Sequence, residues 1–267
     1  MVEKINEARK VKDGILLAKE SVARDIYVLQ FEVFSMHARP VPGQFFLFDC
    51  GGGKEHILRR PLAVHDIYQW EEGRRVLGFL VEIVGWGTRK LCELGLGESV
   101  SMLGPLGRGF ELGEGKTLLV SGGIGIAPLF FAARELERLG GDYTLVAGFK
   151  SAHDICVDFS VLHGEIHIYT EDGSSGKKGL ATDGALELIK SFEKGRVIAC
   201  GPEEMMASVS SVSSSFGIPC EVSLAARMAC GVGACRGCVR KGVSRNLCVC
   251  TEGPVFDANQ VDWSLRS

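Results

Sequence analysis

Short hydrophobic runs separated by turn residues dominate the first hundred positions. Residues 26–34 alternate between apolar and polar side chains, and the apolar runs at 44–48 and 76–84 are bounded by glycine or proline. Strands this short, repeated at this spacing, are typical of an antiparallel barrel or sandwich. One short helix is predicted at 88–94. We therefore expect an all-β domain over residues 1–113.

After residue 113 the pattern changes to apolar strands that alternate with amphipathic helices. The predicted strands are 117–120, 143–149, 165–169 and 197–200, and the predicted helices are 129–139, 180–192 and 202–216. Alternation of this kind indicates a parallel α/β sheet. From Ser223 onwards the helical pattern stops, and cysteines and glycines take over. The expected organisation is an antiparallel β-barrel (1–113), a parallel α/β domain (114–222) and a small cysteine-rich module (223–267).

Charge and composition narrow the classes of function. The chain has 30 basic and 33 acidic side chains, a formal net charge of -3, and 46% apolar residues. This balance offers no bulk attraction for nucleic acid or anionic lipid. The N-terminal segment has no apolar stretch typical of a secretory signal, so we expect a cytoplasmic protein. In that compartment the ten cysteines are expected to be reduced thiols and not disulfides.

Five of the cysteines crowd into residues 230–250, which is typical of a metal site. Cys230, Cys235 and Cys238, with a later cysteine, follow the C-x4-C-x2-C…C spacing of plant-type [2Fe–2S] clusters. Four thiolates must converge on two irons, and one loop supplies three of them. The glycines between these cysteines are Gly231, Gly233 and Gly237. They allow the backbone to approach the cluster and to donate amide hydrogen bonds to its sulfurs.

Zinc is the alternative occupant of this module, in which case the protein would be a non-enzymatic scaffold. Zinc sites often use paired C-x2-C units. Only Cys235 and Cys238 form such a pair, because Cys248 and Cys250 are separated by a single residue. The spacing therefore favours the iron–sulfur cluster, and it leaves open whether Cys248 or Cys250 is the fourth ligand.

Two glycine-rich junctions in the α/β region are candidates for binding a dinucleotide. Residues 121–128 connect a predicted strand to a helix, and residues 200–202 form a second strand-to-helix junction. Turns without side chains let a pyrophosphate approach backbone N–H groups at a helix N-terminus. Ligands of open α/β sheets bind outside the carboxyl ends of the strands. The candidate residues are Gly122, Gly123, Gly125, Cys200, Gly201 and Pro202.

The barrel region carries two further candidates for phosphate binding. Arg59 and Arg60 follow a glycine-rich loop and precede Pro61, and an arginine held beside a proline suits a fixed phosphate contact. The segment 85–88 opens the predicted short helix with a threonine hydroxyl available as a cap. Each feature alone is also typical of an ordinary turn. Together they predict one large phosphate-bearing ligand in the barrel.

Taken in order, these motifs resemble the ferredoxin–NADP reductase family over essentially the whole chain. The matching segments are 42–45, 60–63, 85–88, 104–110, 122–125, 171–174 and 200–202. The resemblance implies an FAD-binding barrel followed by a nicotinamide-binding domain. For FAD it implies Arg60, Pro61, Leu62, Ala63, Leu80, Val81, Glu82, Gly87 and Thr88. For the nicotinamide cofactor it implies the six residues of the two glycine-rich junctions.

The C-terminal segments 227–235 and 252–256 are similar to electron-transfer subunits of NAD-linked dihydroorotate dehydrogenases. The likeness implies Cys250 as the last cluster ligand, with Cys230, Cys235 and Cys238. It also implies a separate FMN-bearing subunit that oxidises dihydroorotate in pyrimidine biosynthesis, assembled with this chain as a heterotetramer. Electrons would pass through [2Fe–2S] and FAD to NAD⁺, with no catalytic proton donor on this chain. Another FAD/[2Fe–2S] reductase subunit that uses NAD(P)H is the nearest enzymatic alternative.

Two positions depart from the reductase pattern. Ala63 stands where the family typically has serine or threonine, so the hydroxyl expected near the flavin N5 is missing. Glu82 stands where an arginine is frequent, and a carboxylate does not replace a guanidinium at a pyrophosphate.

Overall fold

The computed structural model describes residues 11–34, 36–51, 57–113, 115–192 and 194–264. The N-terminal segment in which no secretory signal is expected lies almost entirely outside these residues. So do the predicted domain limits 1, 114 and 267, and most of the glycine-rich loop before Arg59.

The N-terminal part is an antiparallel sheet of seven strands that curls into a barrel. Its strands are β1 (Val11–Ala23), β2 (Ile26–Val33), β3 (Phe45–Phe48), β4 (Arg60–Ala63), β5 (Asp66–Glu71), β6 (Arg74–Glu82) and β7 (Ser99–Leu106), in the order β4-β3-β7-β1-β2-β6-β5. The His65 N–H donates to the Gly78 carbonyl at 2.8 Å, which ties the chain after β4 to β6. Phenylalanine rings fill the interior, with Phe48 and Phe79 edge to face at 4.8 Å.

Sequence patterning predicts part of this barrel and misses part of it. The apolar runs at 26–34, 44–48 and 76–84 match β2, β3 and β6. Residues 60–63 of the arginine–proline motif form β4, because they pair with β3 from Phe45 to Phe48. The predicted short helix is α1 (Trp86–Glu93), which begins two residues earlier than expected.

The second part is a seven-stranded sheet that is parallel except at one edge, as the alternating pattern predicts. Its first strands and helices are β8 (Lys116–Gly122), α2 (Ile126–Leu139), β9 (Tyr143–Phe149), β10 (Glu165–Thr170), β11 (Lys177–Lys178) and α3 (Ala181–Lys190). They are followed by β12 (Gly195–Cys200), α4 (Glu203–Ser215) and β13 (Cys220–Ser223). Helix α2 begins three residues before its predicted start and includes Pro128, because proline in a first helical turn loses no hydrogen bond.

The cysteine-rich segment is joined to the sheet and is not a separate appendage. It contains the hairpin β14 (Val239–Lys241) and β15 (Asn246–Cys248), followed by β16 (Val255–Asp257). Strand β16 pairs antiparallel with β13, so the order of the second sheet is β11-β10-β9-β8-β12-β13-β16. A strand of three residues is too short to show a hydrophobic period, which is why the sequence pattern does not predict it.

Helix α2 packs against the barrel and fixes the barrel relative to the second sheet. Arg39 lies 2.6 Å from Glu135, and Arg134 lies 3.8 Å from Asp66. Beside these ion pairs the His65 ring is buried, with its centroid 4.7 Å from that of Phe130. Polar and aromatic contacts therefore join the two parts directly.

Candidate functional site

Three cysteine thiols meet in the interior of the C-terminal segment. The Cys248 Sγ atom lies 3.8 Å from that of Cys238 and 3.9 Å from that of Cys250. All three side chains are buried, and the three sulfurs lie within 4.8 Å of one another. A tetrahedral metal–thiolate bond of about 2.3 Å separates two sulfur ligands of one ion by roughly 3.7 Å. These thiols are therefore spaced as ligands of a single metal ion.

Cys230 and Cys235 lie on the more exposed part of the same loop. The Cys230 Sγ accepts backbone N–H bonds from Val232 at 3.5 Å and from Cys235 at 3.4 Å. Burial favours the neutral thiol, but these backbone donors outweigh it and lower the pKa of Cys230 to about 6. The thiolate is the form that binds iron. The loop therefore provides thiolates and amide donors suited to an iron–sulfur cluster.

This cysteine loop packs directly on the barrel. Gly231 has a φ of +70°, and a Cβ at this position would lie 2.4 Å from the Leu47 Cδ1 atom and 2.9 Å from the Leu106 Cδ1 atom. Only glycine permits this approach. A second contact joins the Arg108 N–H to the Gly253 carbonyl at 2.6 Å. Gly231 therefore holds the loop with the first three cysteines against strands β3 and β7, and Gly253 joins the segment after Cys250 to the chain just beyond β7.

Arg60 and the first turn of α1 form a cradle suited to phosphate. A Cβ on Gly87 would lie 2.4 Å from the Arg60 Nε atom and 2.8 Å from its Cζ atom, so the guanidinium lies over the helix N-terminus. The same guanidinium also donates to the Leu58 carbonyl. Positive charge above a helix N-terminus favours an anion, so these residues fit the phosphates of a flavin dinucleotide.

Thr88 and Arg59, which lie next to Gly87 and Arg60 in the sequence, stabilise the local structure. The Thr88 Oγ1 atom accepts the Val84 N–H at 3.0 Å and the Gly85 N–H at 3.3 Å. The hydroxyl therefore stabilises the turn from the third helical position, whereas the N-cap itself is Gly85 and not the threonine. Arg59 turns towards β3 and lies 3.5 Å from Asp49. Of the two adjacent arginines, only Arg60 borders the cradle.

The other predicted flavin residues occupy β4 and the end of β6, which approach each other. In β4 these are Pro61, Leu62 and Ala63, all partly buried, and in β6 they are Leu80, Val81 and Glu82. Leu80 and Val81 are buried, whereas Glu82 is exposed at the strand end. The Glu82 carboxylate therefore points to solvent and does not fill the barrel interior.

The two glycine-rich junctions of the α/β sheet pack backbone to backbone. A Cβ on Gly125 would lie 2.2 Å from the Cys200 carbonyl oxygen, and one on Gly201 would lie 2.8 Å from the Gly122 nitrogen. A Cβ on Gly122 would meet the Pro202 Cδ atom at 2.6 Å. The junctions follow β8 and β12, which are neighbours in the sheet. The predicted nicotinamide residues therefore form one continuous surface at the carboxyl ends of these strands.

This surface has an open side that suits a nucleotide. Gly123 has a φ of +53°, and no atom lies within 4 Å of the position a Cβ would take. A pyrophosphate can approach such a turn closely. Burial raises the pKa of the Cys200 thiol to about 12, so this side chain is neutral at physiological pH.

Comparison with known proteins decides the family. Residues 225–262 match the iron–sulfur cluster binding domain of dihydroorotate dehydrogenase B. The chain is 38% identical to the electron transfer subunit of dihydroorotate dehydrogenase B (NAD(+)) of Desulforamulus reducens, over 95% of this chain and 99% of that one. For the subunit of the same name from Clostridium acetobutylicum the identity is 36%, over 96% and 94%. This chain belongs to the dihydroorotate dehydrogenase B electron-transfer subunit family.

Solved structures confirm the predicted fold class. A chain of the NADH-dependent reduced ferredoxin–NADP oxidoreductase, studied for flavin-based electron bifurcation, superposes with a TM-score of 0.82 at 28% identity. The match covers 94% of this chain and 90% of that one. The FAD/NAD-binding domain of Vibrio cholerae nitric oxide dioxygenase has a TM-score of 0.66 at 18% identity, over 79% and 98%. At that identity the second likeness shows the fold alone.

Cys248 lies beside both Cys238 and Cys250, a contact that the cysteine spacing does not predict. The Cys248 N–H donates to the Glu252 Oε2 atom at 2.6 Å, and Arg245 pairs with the same carboxylate. The Cys-x-Cys spacing is visible in the sequence, but spacing alone does not show that Cys238 joins the pair.

In the part of the chain that the structure describes, no helix has the length and apolar character needed to cross a bilayer.

Proposed function

We propose that this chain is the electron-transfer subunit of an NAD-linked dihydroorotate dehydrogenase. It would pass electrons from the FMN of a dihydroorotate-oxidising partner, through a [2Fe–2S] cluster and FAD, to NAD⁺. When bound, the flavin supplies the exchange between single electrons and a hydride, which neither the cluster nor the nicotinamide provides alone. The residues of this chain have the tasks of binding, positioning and electrostatic tuning.

The observation that carries this proposal is the contact between the cysteine loop and the barrel. Gly231 brings the loop against Leu47 and Leu106, on the barrel that also carries the Arg60–Gly87 cradle. A cluster held by this loop would lie beside the domain that holds the flavin, as stepwise electron transfer requires. A protein that bound zinc only for structure would have no need of a neighbouring phosphate cradle.

The proposed ligand sets are those implied by the family resemblance, which selects Cys250 over Cys248. Cluster ligation is assigned to Cys230, Cys235, Cys238 and Cys250. FAD binding is assigned to residues 60–63, 80–82, 87 and 88, and NAD binding to Gly122, Gly123, Gly125, Cys200, Gly201 and Pro202. Backbone amides of the α1 turn take the place of an arginine at Glu82. The corresponding domains are 1–113, 114–222 and 223–267, and no side chain is assigned a proton transfer.

We assign the exposed side of the cysteine loop to the catalytic partner. Cys235 is exposed, and so is Arg236 beside it, whereas Cys238 and Cys250 are buried. A cluster held at this loop would have one side near the protein surface and the other near the barrel. We propose a heterotetramer with two chains of each kind, located in the cytoplasm.

Reconstitution with the FMN-bearing partner tests the function directly. We expect NAD⁺ reduction that depends on dihydroorotate, and we expect Cys235→Ser to abolish it while NADH-to-dye activity persists. Cys220→Ser is the matched control, because Cys220 is a buried thiol at the amino end of β13 and is not one of the proposed cluster ligands. A wild-type complex without dihydroorotate activity would contradict the proposal and favour another FAD/[2Fe–2S] reductase subunit.

A further inference from the structure

We infer that two thiols can serve interchangeably as the fourth cluster ligand, Cys250 and its neighbour Cys248. The inference rests on the proposed [2Fe–2S] cluster and concerns only the buried end of its site. There the Cys248 Sγ atom is 3.8 Å from Cys238 and 3.9 Å from Cys250. The distance to Cys238 matches the roughly 3.7 Å expected between two thiolates on one tetrahedral metal ion, and the distance to Cys250 places the two alternative thiols side by side.

The backbone presents both thiols on the same side of the chain. Strand β15 ends at Cys248 and residues 249–252 form a turn, which leaves the two sulfurs 3.9 Å apart. The Cys248 carbonyl accepts the N–H groups of Thr251 at 3.2 Å and Glu252 at 2.8 Å. With the Cys248 N–H held by the Glu252 carboxylate, the turn is fixed at both ends. Exchange of the two ligands therefore requires side-chain rotation and no change of fold.

Within the described part of the chain, the exposed end of the site has no additional thiol that could replace a ligand. Among the described residues, Cys238, Cys248 and Cys250 are the only three metal-ligating side chains this close together. Cys230 and Cys235 approach each other through an N–H to Sγ bond but have no third thiol within that distance. Redundancy is therefore specific to the buried iron, and a variant at the exposed end provides the contrast.

The exchange balances without any change of oxidation state. The bond from iron to the Cys250 sulfur breaks, and a bond from the same iron to the Cys248 sulfur forms. The proton released by the Cys248 thiol is taken up by the Cys250 thiolate, 3.9 Å away. The number of thiolates on the cluster and its total charge stay the same.

Four variants test the inference: Cys248→Ser, Cys250→Ser, the double variant, and Cys235→Ser. Each is purified without oxygen, and its iron, acid-labile sulfide, visible circular dichroism and reduced-state EPR spectrum are measured. We expect each single variant at 248 or 250 to keep about two irons and two sulfides per chain. The double variant and Cys235→Ser should lose the cluster. FAD content and far-ultraviolet circular dichroism report folding.

Loss of the cluster from either single variant at 248 or 250, with FAD and fold retained, would overturn the inference. Should Cys250→Ser fail to fold, the wild-type chain supplies the test. After anaerobic removal of the cluster, diamide should link Cys248 to Cys238 or to Cys250, as read from peptide masses. A link between Cys238 and Cys250 that leaves Cys248 free would overturn the inference. A wild-type protein that binds no cluster would instead contradict the proposed function.

Discussion

Lowering the pH from 7.5 to 5.0 is expected to remove about 2 kcal/mol of folding stability through one side chain, His65. This imidazole is 4% exposed and lies between the barrel and helix α2. Its Nδ1 atom is 3.4 Å from the Ala127 carbonyl oxygen, and its ring packs on Phe130. Burial disfavours the charged form and lowers the pKa of His65 from 6.5 to about 4.

The sign follows from the proton balance. Below about pH 6.5 the unfolded chain takes up a proton at His65, whereas the folded chain takes it up only near pH 4. The contribution is therefore fully present above pH 6.5 and is lost as the pH falls towards 4. The whole difference corresponds to about 3 kcal/mol, of which about 2 kcal/mol is lost by pH 5.0.

Urea unfolding of the FAD-loaded protein at the two pH values, followed by fluorescence, measures this effect. His65→Phe keeps an aromatic ring against Phe130 but cannot bind a proton, so its loss of stability should be smaller by about 2 kcal/mol. Burial raises the pKa of the neighbouring Asp66 carboxyl, but this group is common to both proteins and cancels in the difference. Equal pH dependence in the two proteins would refute the reasoning.

Two glycine substitutions test the proposed cofactor sites. Gly87→Ala places a Cβ 2.4 Å from the Arg60 Nε atom, so FAD affinity should fall at least about tenfold by flavin fluorescence. Gly85→Ala, where a Cβ meets nothing within 4 Å, is the matched control and should bind FAD normally. Gly125→Ala places a Cβ 2.2 Å from the Cys200 carbonyl oxygen and should raise the Kd for NADH at least about tenfold while FAD stays bound. An unchanged FAD affinity in Gly87→Ala would contradict the proposed phosphate cradle. An unchanged Kd for NADH in Gly125→Ala would contradict the proposed nucleotide site.

Chemistry encoded in short motifs could be predicted from this sequence. The cysteine spacing identified the metal segment because ligands from one loop must follow the geometry of the cluster. The glycines at 122, 125 and 201 indicated a close approach of the two strand-to-helix junctions, because only glycine permits the backbone contacts seen there. The alternation of strands and helices predicted the parallel sheet, because hydrophobic periodicity is visible within each short segment.

Features that depend on distant contacts could not be predicted. Strand β16 has three residues and exists because β13 offers a free edge. Arg59 and Arg60 are adjacent in sequence, and only the fold shows that Arg59 turns to Asp49 while Arg60 covers the helix N-terminus. The approach of Cys248 to Cys238 depends on the pairing of β14 with β15. These contacts join segments that are distant in sequence, so local patterns in a single sequence do not reveal them.

An anaerobic titration with dithionite, followed in the visible spectrum, tests the central claim most directly. A chain that carries one FAD and one [2Fe–2S] cluster takes up about three electrons, two at the flavin and one at the cluster. We expect this value for the wild-type chain and about two electrons for Cys235→Ser. A wild-type chain that takes up two electrons or none, and holds zinc in its cysteine loop, would contradict the account.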